Sequence, residues 1–338
     1  MKFIWLPVFL LLCLAASFLL CQALPGSSKA VPGSVAVITS QPESAGYESA
    51  VAASKDDYSG RQWAILKTMA PQAWEVTSGA ASVVIAVLDT GIDKRHEDLA
   101  GKVIAEVNFT DSPTTNDIYG HGTHVAGIIA AAANNGVGIA GLAYDCRLLN
   151  VKVADDCGMF QSSVAARGIR WAVEHGAKVI NMSLVSTEPS RDLEEAINYA
   201  WSKGVVVVAA AGNFIGTKAA YPAYYSNCLA VAATDSNDCV ASWSSRGDWV
   251  DVVAPGVDIY STLSGSQYGS KSGTSMAAAH VSGLAGLLFA ISGDKNGNGF
   301  VNDEVRAAIE GSCDAVGISV VNGRINAFHA VNKSLASK

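Results

Sequence analysis

At 338 residues the chain has room for one large α/β domain or two smaller ones, and with 50% hydrophobic residues it can bury a sizeable core. A formal net charge of −7 leaves no basic footprint, so nucleic acid is not an expected partner. The acidic balance is ordinary for an exported soluble protein and singles out no other partner.

Met1–Ala23 reads as a secretory signal: Lys2 gives the positive start, Phe3–Leu20 the apolar stretch, and Cys21–Gln22–Ala23 a small-x-small cleavage site. The competing reading is an uncleaved anchor, because the apolar run approaches the minimum spanning length. Lipid attachment at Cys21 is disfavoured by Leu20, which fills a place such sites give to a small residue. Export is the favoured reading, which predicts an extracellular protein with no membrane contact after signal removal. Residues 24–55 are rich in Ser, Ala, Gly and Pro, with one short apolar patch at Val35–Ile38, and read as a short propeptide or flexible leader. Of seven cysteines, Cys13 and Cys21 leave with the signal. The remaining Cys146, Cys157, Cys228, Cys239 and Cys313 allow at most two bridges, whose connectivity is not fixed by sequence. Cys146 and Cys157 flank a predicted strand and are too far apart to bridge each other.

Regular patterning begins near Gln62. Val83–Leu88 is a continuous apolar run that ends in Asp89–Thr90–Gly91, and His121 to Ala133 reads as a small-residue helix. Leu148–Val153, Lys178–Leu184, Val205–Ala210 and Leu229–Thr234 read as strands; Gln161–His175 and Arg191–Lys203 read as the helices between them. Strands that do not alternate, separated by helices, imply a parallel sheet covered on both faces. The expected fold is therefore α/β: a doubly wound, mostly parallel sheet with helices on both faces, in one domain over 56–338. In such sheets chemistry gathers beyond the carboxyl ends of the strands. Asp89 and Asn213 each follow a strand, and His121 opens a helix.

Gly273–Gly283 (GTSMAAAHVSG) starts an apolar, alanine-rich run lasting to about Ile291, with Gly273 and Thr274 read as turn and cap. Ser275 then sits at a helix N-terminus, where free N–H groups and the dipole favour a developing oxyanion. Serine caps helices commonly, so this run means little until it is joined with Val87–Asp93 (VLDTGID) and Gly120–Gly127 (GHGTHVAG). Together the three segments resemble the signature motifs of the subtilisin family of serine proteases, in that family's Asp, His, Ser order. The resemblance runs from about Asp56 to the C-terminus, and Ala70–Trp74, Ala220–Asn227 and Gly323–Phe328 are most similar to thermitase-like members.

The resemblance implies a serine endopeptidase acting on polypeptides. Ser275 would be the nucleophile, His121 the base and then acid, and Asp89 the group that holds the imidazole tautomer. Asn213 would donate its amide to the oxyanion beside the Ser275 N–H; loss of such a donor in this same family costs about 10²–10³ in turnover. His124 and His280 fall off the catalytic positions and are expected to be structural. The substrate cleft implied by the resemblance uses the edge Ser183–Leu184–Val185–Ser186 and the segment Ala211–Gly212–Asn213, with Ala220 as pocket floor. The family has a Gly-Gly pair where this chain has Val185–Ser186, so a narrowed primary pocket with altered side-chain preference is expected. Ala279 replaces the family's proline after the nucleophile, and the leader is too short for the usual folded prodomain.

Ala133–Ile139 resembles the family's strong calcium loop. Asn135 would give a side-chain oxygen, Ala133, Val137 and Ile139 backbone carbonyls, and Asp56 and Asp98 remote carboxylates, a mixture suited to structural Ca²⁺. Asp294–Gly299 (DKNGNG) starts like a second calcium loop, but position twelve is Val305 with Glu304 one residue early, and a polar turn before a helix from about Asp303 to Glu310 is an equal reading. A monomer is expected. Two rival readings remain at this level: a catalytically silent relative that binds peptides through the same groove, and a membrane-tethered protease.

Overall fold

The computed structural model describes residues 56–316 and 322–336; the expected signal (1–23) and leader (24–55) lie outside the described residues. Val84–Asp89 (β1) is buried at every position, so it presents apolar side chains to both faces of its sheet. Ile85 and Val87 join one core cluster, whereas Val84, Ala86 and Leu88 join another. That two-sided burial is what the unbroken apolar run requires.

The remaining strands of the main sheet are Val103–Asn108 (β2), Arg147–Lys152 (β3), Val179–Met182 (β4), Val206–Ala210 (β5), Cys228–Thr234 (β6) and Val252–Pro255 (β7). They lie in the order β2-β3-β1-β4-β5-β6-β7, and every pairing is parallel. The doubly wound α/β expectation holds. The winding reverses at β1, with β3 on one side and β4 on the other, which opens a crevice at their carboxyl ends. Sequence reading missed β2, an edge strand on which Ile104 is 54% exposed and most residues are only half-buried. An edge has neither a dry face pair nor clean alternation to announce it.

The helices are Trp63–Lys67 (α1), Ala70–Trp74 (α2), Gly122–Ala130 (α3), Ser162–Glu174 (α4), Arg191–Ser202 (α5), Thr274–Phe289 (α6), Asn302–Glu310 (α7) and Ala327–Ala336 (α8). Helices α4 and α5 cover one face of the sheet through Ala165, Ile169, Leu193, Ala196 and Ile197. Helices α3 and α6 cover the other, and of the residues Thr274–Leu288 in α6 only Ser275 is not buried. An apolar helix on all sides belongs in a core, and α6 packs against α3, β4, β5 and β6. Helix α3 ends at Ala130, three residues short of the expectation, because Ala131 is extended with φ −50° and ψ 142° and leads into the loop at Asn134.

A hairpin of Ile259–Leu263 (β8) and Gln267–Lys271 (β9) lies against α3. Ser261 Oγ donates to His124 O and Thr262 Oγ1 to Thr123 O, both at 2.8 Å. Gly127 makes this approach feasible, since a Cβ there would stand 2.2 Å from Thr262 Oγ1. Cys146, Cys157, Cys228 and Cys313 are free thiols, Cys146 and Cys228 buried, Cys157 exposed and Cys313 between.

Candidate active site

Asp89 is the last residue of β1 and is fully buried. Its Oδ1 accepts the Thr90 N–H at 2.8 Å and lies 2.7 Å from His121 Nδ1. An imidazole that donates from Nδ1 leaves Nε2 as the free base, facing outward from the carboxylate. Burial alone would lower the His121 pKa, but the Asp89 charge and hydrogen bond outweigh it, and the net shift is upward. With its side chain 21% exposed, His121 remains accessible from the cleft.

His121 is placed by a third side chain that sequence reading missed. Asp117, buried, accepts N–H groups of Gly120 and Thr123 at 2.7 Å each, so it clamps the residues on either side of His121. It also accepts the Thr90 hydroxyl at 2.8 Å, next in sequence to Asp89. The available signal was an aspartate shortly before a helix start, the usual capping chemistry. Lys152, fully buried beside Asp89 in the sheet register, donates to the Thr90 carbonyl and to Asp156 Oδ1 at 2.9 Å.

Ser275 stands in the first turn of α6 and is partly exposed. Its Oγ donates to Ser183 O at 3.4 Å, and Ser183 Oγ returns a bond to Ser275 O at 3.1 Å. Asn213 follows β5 and is exposed, but its amide is oriented: Oδ1 accepts both Thr274 N and Thr274 Oγ1 at 3.0 Å. The Nδ2 face is thereby turned away from Thr274 and available to an incoming acceptor. Thr274, expected as a cap, is the first helical residue, and its hydroxyl also accepts the Gly212 N–H at 3.0 Å. Gly273 occupies the N-cap without a side-chain bond.

The other expected substrate residues gather around the same opening. Ser183 and Leu184 are buried beyond β4, Val185 is half-buried, and Ala211 and Gly212 are buried beyond the neighbouring β5. Ala220 is buried and precedes Tyr221, whose backbone exchanges hydrogen bonds of 2.7 and 2.9 Å with Ser186. His124 and His280 lie within the core, bonded to Gly269 O at 3.1 Å and Met276 O at 2.9 Å; burial holds them down at about 3 and about 4.

The loop 133–139 is drawn together by two buried carboxylates. Asp56 accepts N–H groups of Asn134 at 2.8 Å and Asn135 at 3.1 Å; Asp98 accepts Ile139 N at 2.9 Å and the Asn135 amide at 2.8 Å. Burial raises the Asp98 pKa, the mark of a carboxylate short of positive charge. The Asn135 Oδ1 accepts Val137 N at 3.1 Å, so an all-oxygen set suited to calcium needs this amide turned over and its bonds to Val137 and Asp98 given up. No group of three or more His, Cys, Asp or Glu side chains is arranged around a metal among the described residues. The 294–304 loop closes on itself: Asp294 accepts Gly297 and Gly299 N–H at 2.8 Å each, and Glu304 accepts Lys295 N at 2.9 Å.

Comparison with known proteins decides what this constellation belongs to. A model of the subtilase family matches residues 80–325, which span Asp89, His121, Asn213 and Ser275. The chain belongs to the subtilase family. Thermitase from Thermoactinomyces vulgaris is 49% identical over 278 residues, covering 81% of this chain and 97% of its own. A thermophilic serine proteinase from Bacillus sp. (strain AK1) is 48% identical over 278 residues, 81% of this chain and 68% of that one. Among solved structures, a protease from Pseudoalteromonas arctica superposes with a TM-score of 0.76 at 30% identity, covering 83% of this chain and 99% of that one. This subtilase is thus a serine protease, and its parallel sheet is the subtilisin-like fold. No helix among the described residues is long and apolar enough to cross a membrane.

Proposed function

We propose that this subtilase is an exported endopeptidase whose reaction is carried by Asp89, His121, Ser275 and Asn213. The observation that carries the reading is the 2.7 Å contact from His121 Nδ1 to Asp89 Oδ1, made between a strand end and a helix start 32 residues apart. With Nδ1–H held by Asp89, Nε2 takes the proton of Ser275 Oγ as that oxygen attacks the peptide carbonyl. The tetrahedral oxyanion accepts from the Ser275 N–H, free at the first turn of its helix, and from Asn213 Nδ2. His121 then gives the proton to the leaving amine, the C–N bond breaks, and an acyl-Ser275 ester remains. Water, deprotonated by the same Nε2, hydrolyses that ester and restores the hydroxyl. Ser183–Val185, Ala211–Gly212 and Ala220 receive the polypeptide, and the enzyme acts as a monomer.

A structural calcium ion belongs to the same reading, held by Asp56, Asp98, the Asn135 side-chain oxygen and the carbonyls of Ala133, Val137 and Ile139. Bound there it would offset the buried charge of Asp98 and fix the loop that follows α3. Met1–Ala23 directs export and residues 24–55 are removed or remain as a leader. The test is hydrolysis of a denatured protein by the purified chain, beside Ser275→Ala, with and without a calcium chelator. Cleavage that vanishes in the variant and weakens on chelation is the expected result. Undiminished cleavage by Ser275→Ala sinks the assignment of the nucleophile, and indifference to chelation sinks the calcium site.

A further inference from the structure

Ser275 is tied to two segments that leave adjacent parallel strands. Ser183, just past β4, exchanges hydrogen bonds with it, and Asn213, past β5, is bonded to its neighbour Thr274. Met182 and Ala209 are register partners, so the two segments start side by side and part only beyond the sheet. On the endopeptidase reading, a carbonyl held between Ser275 Oγ and Asn213 Nδ2 would place its own residue's side chain at the crevice between 183–185 and 211–214. Gly212, at φ +99° and without a Cβ, opens one wall of that crevice.

The opening is occupied. A Cβ placed on Gly212 would meet Phe214 Cδ2 at 3.1 Å and Val185 Cγ1 at 3.2 Å, so the aromatic ring and the branched methyl converge on the same face of this glycine. We propose that Val185 and Phe214 together close the pocket for the residue preceding the scissile bond, which restricts this protease to glycine, alanine or serine there. The proposal rests on the endopeptidase reading above and names the substrate class of that site.

Neither wall can retreat as a whole. Ser186, next to Val185, is paired with Tyr221 by two backbone hydrogen bonds of 2.7 and 2.9 Å. A β-branched valine also has little χ1 freedom with which to swing aside. On the other side Ser245 anchors the backbone: its N–H donates to Gly212 O at 2.9 Å, its Oγ donates to Phe214 O at 3.0 Å, and Phe214 N reaches that Oγ at 3.3 Å. The Phe214 ring, which is 48% exposed and stands against the open face of Gly212, is the part freest to move. A methyl or hydroxymethyl group fits beside the ring; a larger side chain must displace it.

The experiment measures kcat/KM for a peptide series that differs only at the residue before the cleaved bond, with Ala and Phe as end members. Wild type, Phe214→Ala, Val185→Gly and the double variant are compared, each titrated with a fluorophosphonate that labels Ser275. The expected wild-type preference is about 10²-fold for Ala over Phe, the scale on which pocket volume discriminates. Either single variant should narrow that ratio about tenfold and the double variant should nearly abolish it. Wild-type protein that cleaves Phe as readily as Ala overturns the proposal. So does a strong preference that none of the three variants relaxes. Failure of the fluorophosphonate to label well-folded wild type overturns the endopeptidase reading and the proposal with it, whereas labelling with a flat profile overturns the proposal alone.

Discussion

Asp117 ties together the neighbours of Asp89 and His121, the two residues whose contact the proposed chemistry needs. One oxygen takes the Thr90 hydroxyl and Gly120 N–H, the other takes Thr123 N–H, so both lone-pair faces are committed to donors. Asp117→Asn keeps the volume but turns one acceptor into an NH₂ group facing a donor, which costs about 1–3 kcal/mol and loosens the turn before His121. Its charge is also among the influences that raise the His121 pKa. A general base must be neutral, so a raised pKa places the acid limb of the pH–rate profile above the ordinary histidine value of 6.5. In Asp117→Asn that limb should move down in pH, with kcat reduced about 10- to 100-fold by misplacement of the imidazole. A variant that loses activity with an unmoved limb would show Asp117 to be only a structural clamp.

At the scale of elements, α3 has His121 at its N-cap and is held in place by the β8–β9 hairpin. Hydroxyls of Ser261 and Thr262 donate to the carbonyls of His124 and Thr123 from the side of the helix, so the hairpin must approach very closely. Gly127 permits that approach. In Gly127→Ala the methyl would overlap Thr262 Oγ1 and Ser261 Oγ, at 2.2 and 2.5 Å, and no flexible chain end can give way. A loss of about 1–3 kcal/mol in stability is expected from this overpacking, read from the urea midpoint of the inactive Ser275→Ala background to avoid self-digestion. An unchanged midpoint would mean that hairpin and helix separate freely, and that the two hydroxyl bonds do little to place His121.

For the whole molecule, pH acts through histidines buried as neutral rings and through the carboxyls of Asp98 and Asp251, which burial raises. Burial lowers His124 to about 3 and His280 to about 4, against 6.5 in the unfolded chain. Below pH 6.5 the unfolded state takes up protons that the native state refuses, so stability falls as pH falls, until it levels off near the folded values. His121 acts in the opposite sense, because its raised pKa stabilises the native state below 6.5 and that contribution fades as pH rises through the folded value. The carboxyls of Asp98 and Asp251, raised by burial, act in the same sense as His121, so these three offset part of the loss of about a few kcal/mol that the two neutral rings impose between pH 7 and pH 4.5. Denaturant titrations of Ser275→Ala with and without His280→Gln at those two pH values should show a smaller fall of the midpoint in acid once the buried ring is gone; an identical fall would contradict neutral burial of His280.

The sequence by itself determined the sheet and the outline of the site. Runs such as Val84–Leu88 and Val206–Ala210 are apolar without alternation, and only a sheet buried on both faces can use them. The candidate residues Asp89, His121, Asn213 and Ser275 could be nominated because each lies in a short motif, next to a strand end or a helix start that the local pattern already marks. Local pattern could not show what depends on residues far apart in the chain. Strand β2 pairs on one edge only, and the β8–β9 hairpin exists because it packs on α3, so neither has a strong signature of its own. The same holds inside the site. Asp117 meets Thr90 across 27 residues and Thr274 meets Asn213 across 61, contacts that arise only when separate crossovers end at one rim of the sheet. Val185 was suspect from the missing glycine, but Phe214 was not, since a ring closes a pocket only where the folded backbone turns it back over Gly212. Chemistry was written in single residues; alignment and access were decided by the packing that brings distant strand ends together.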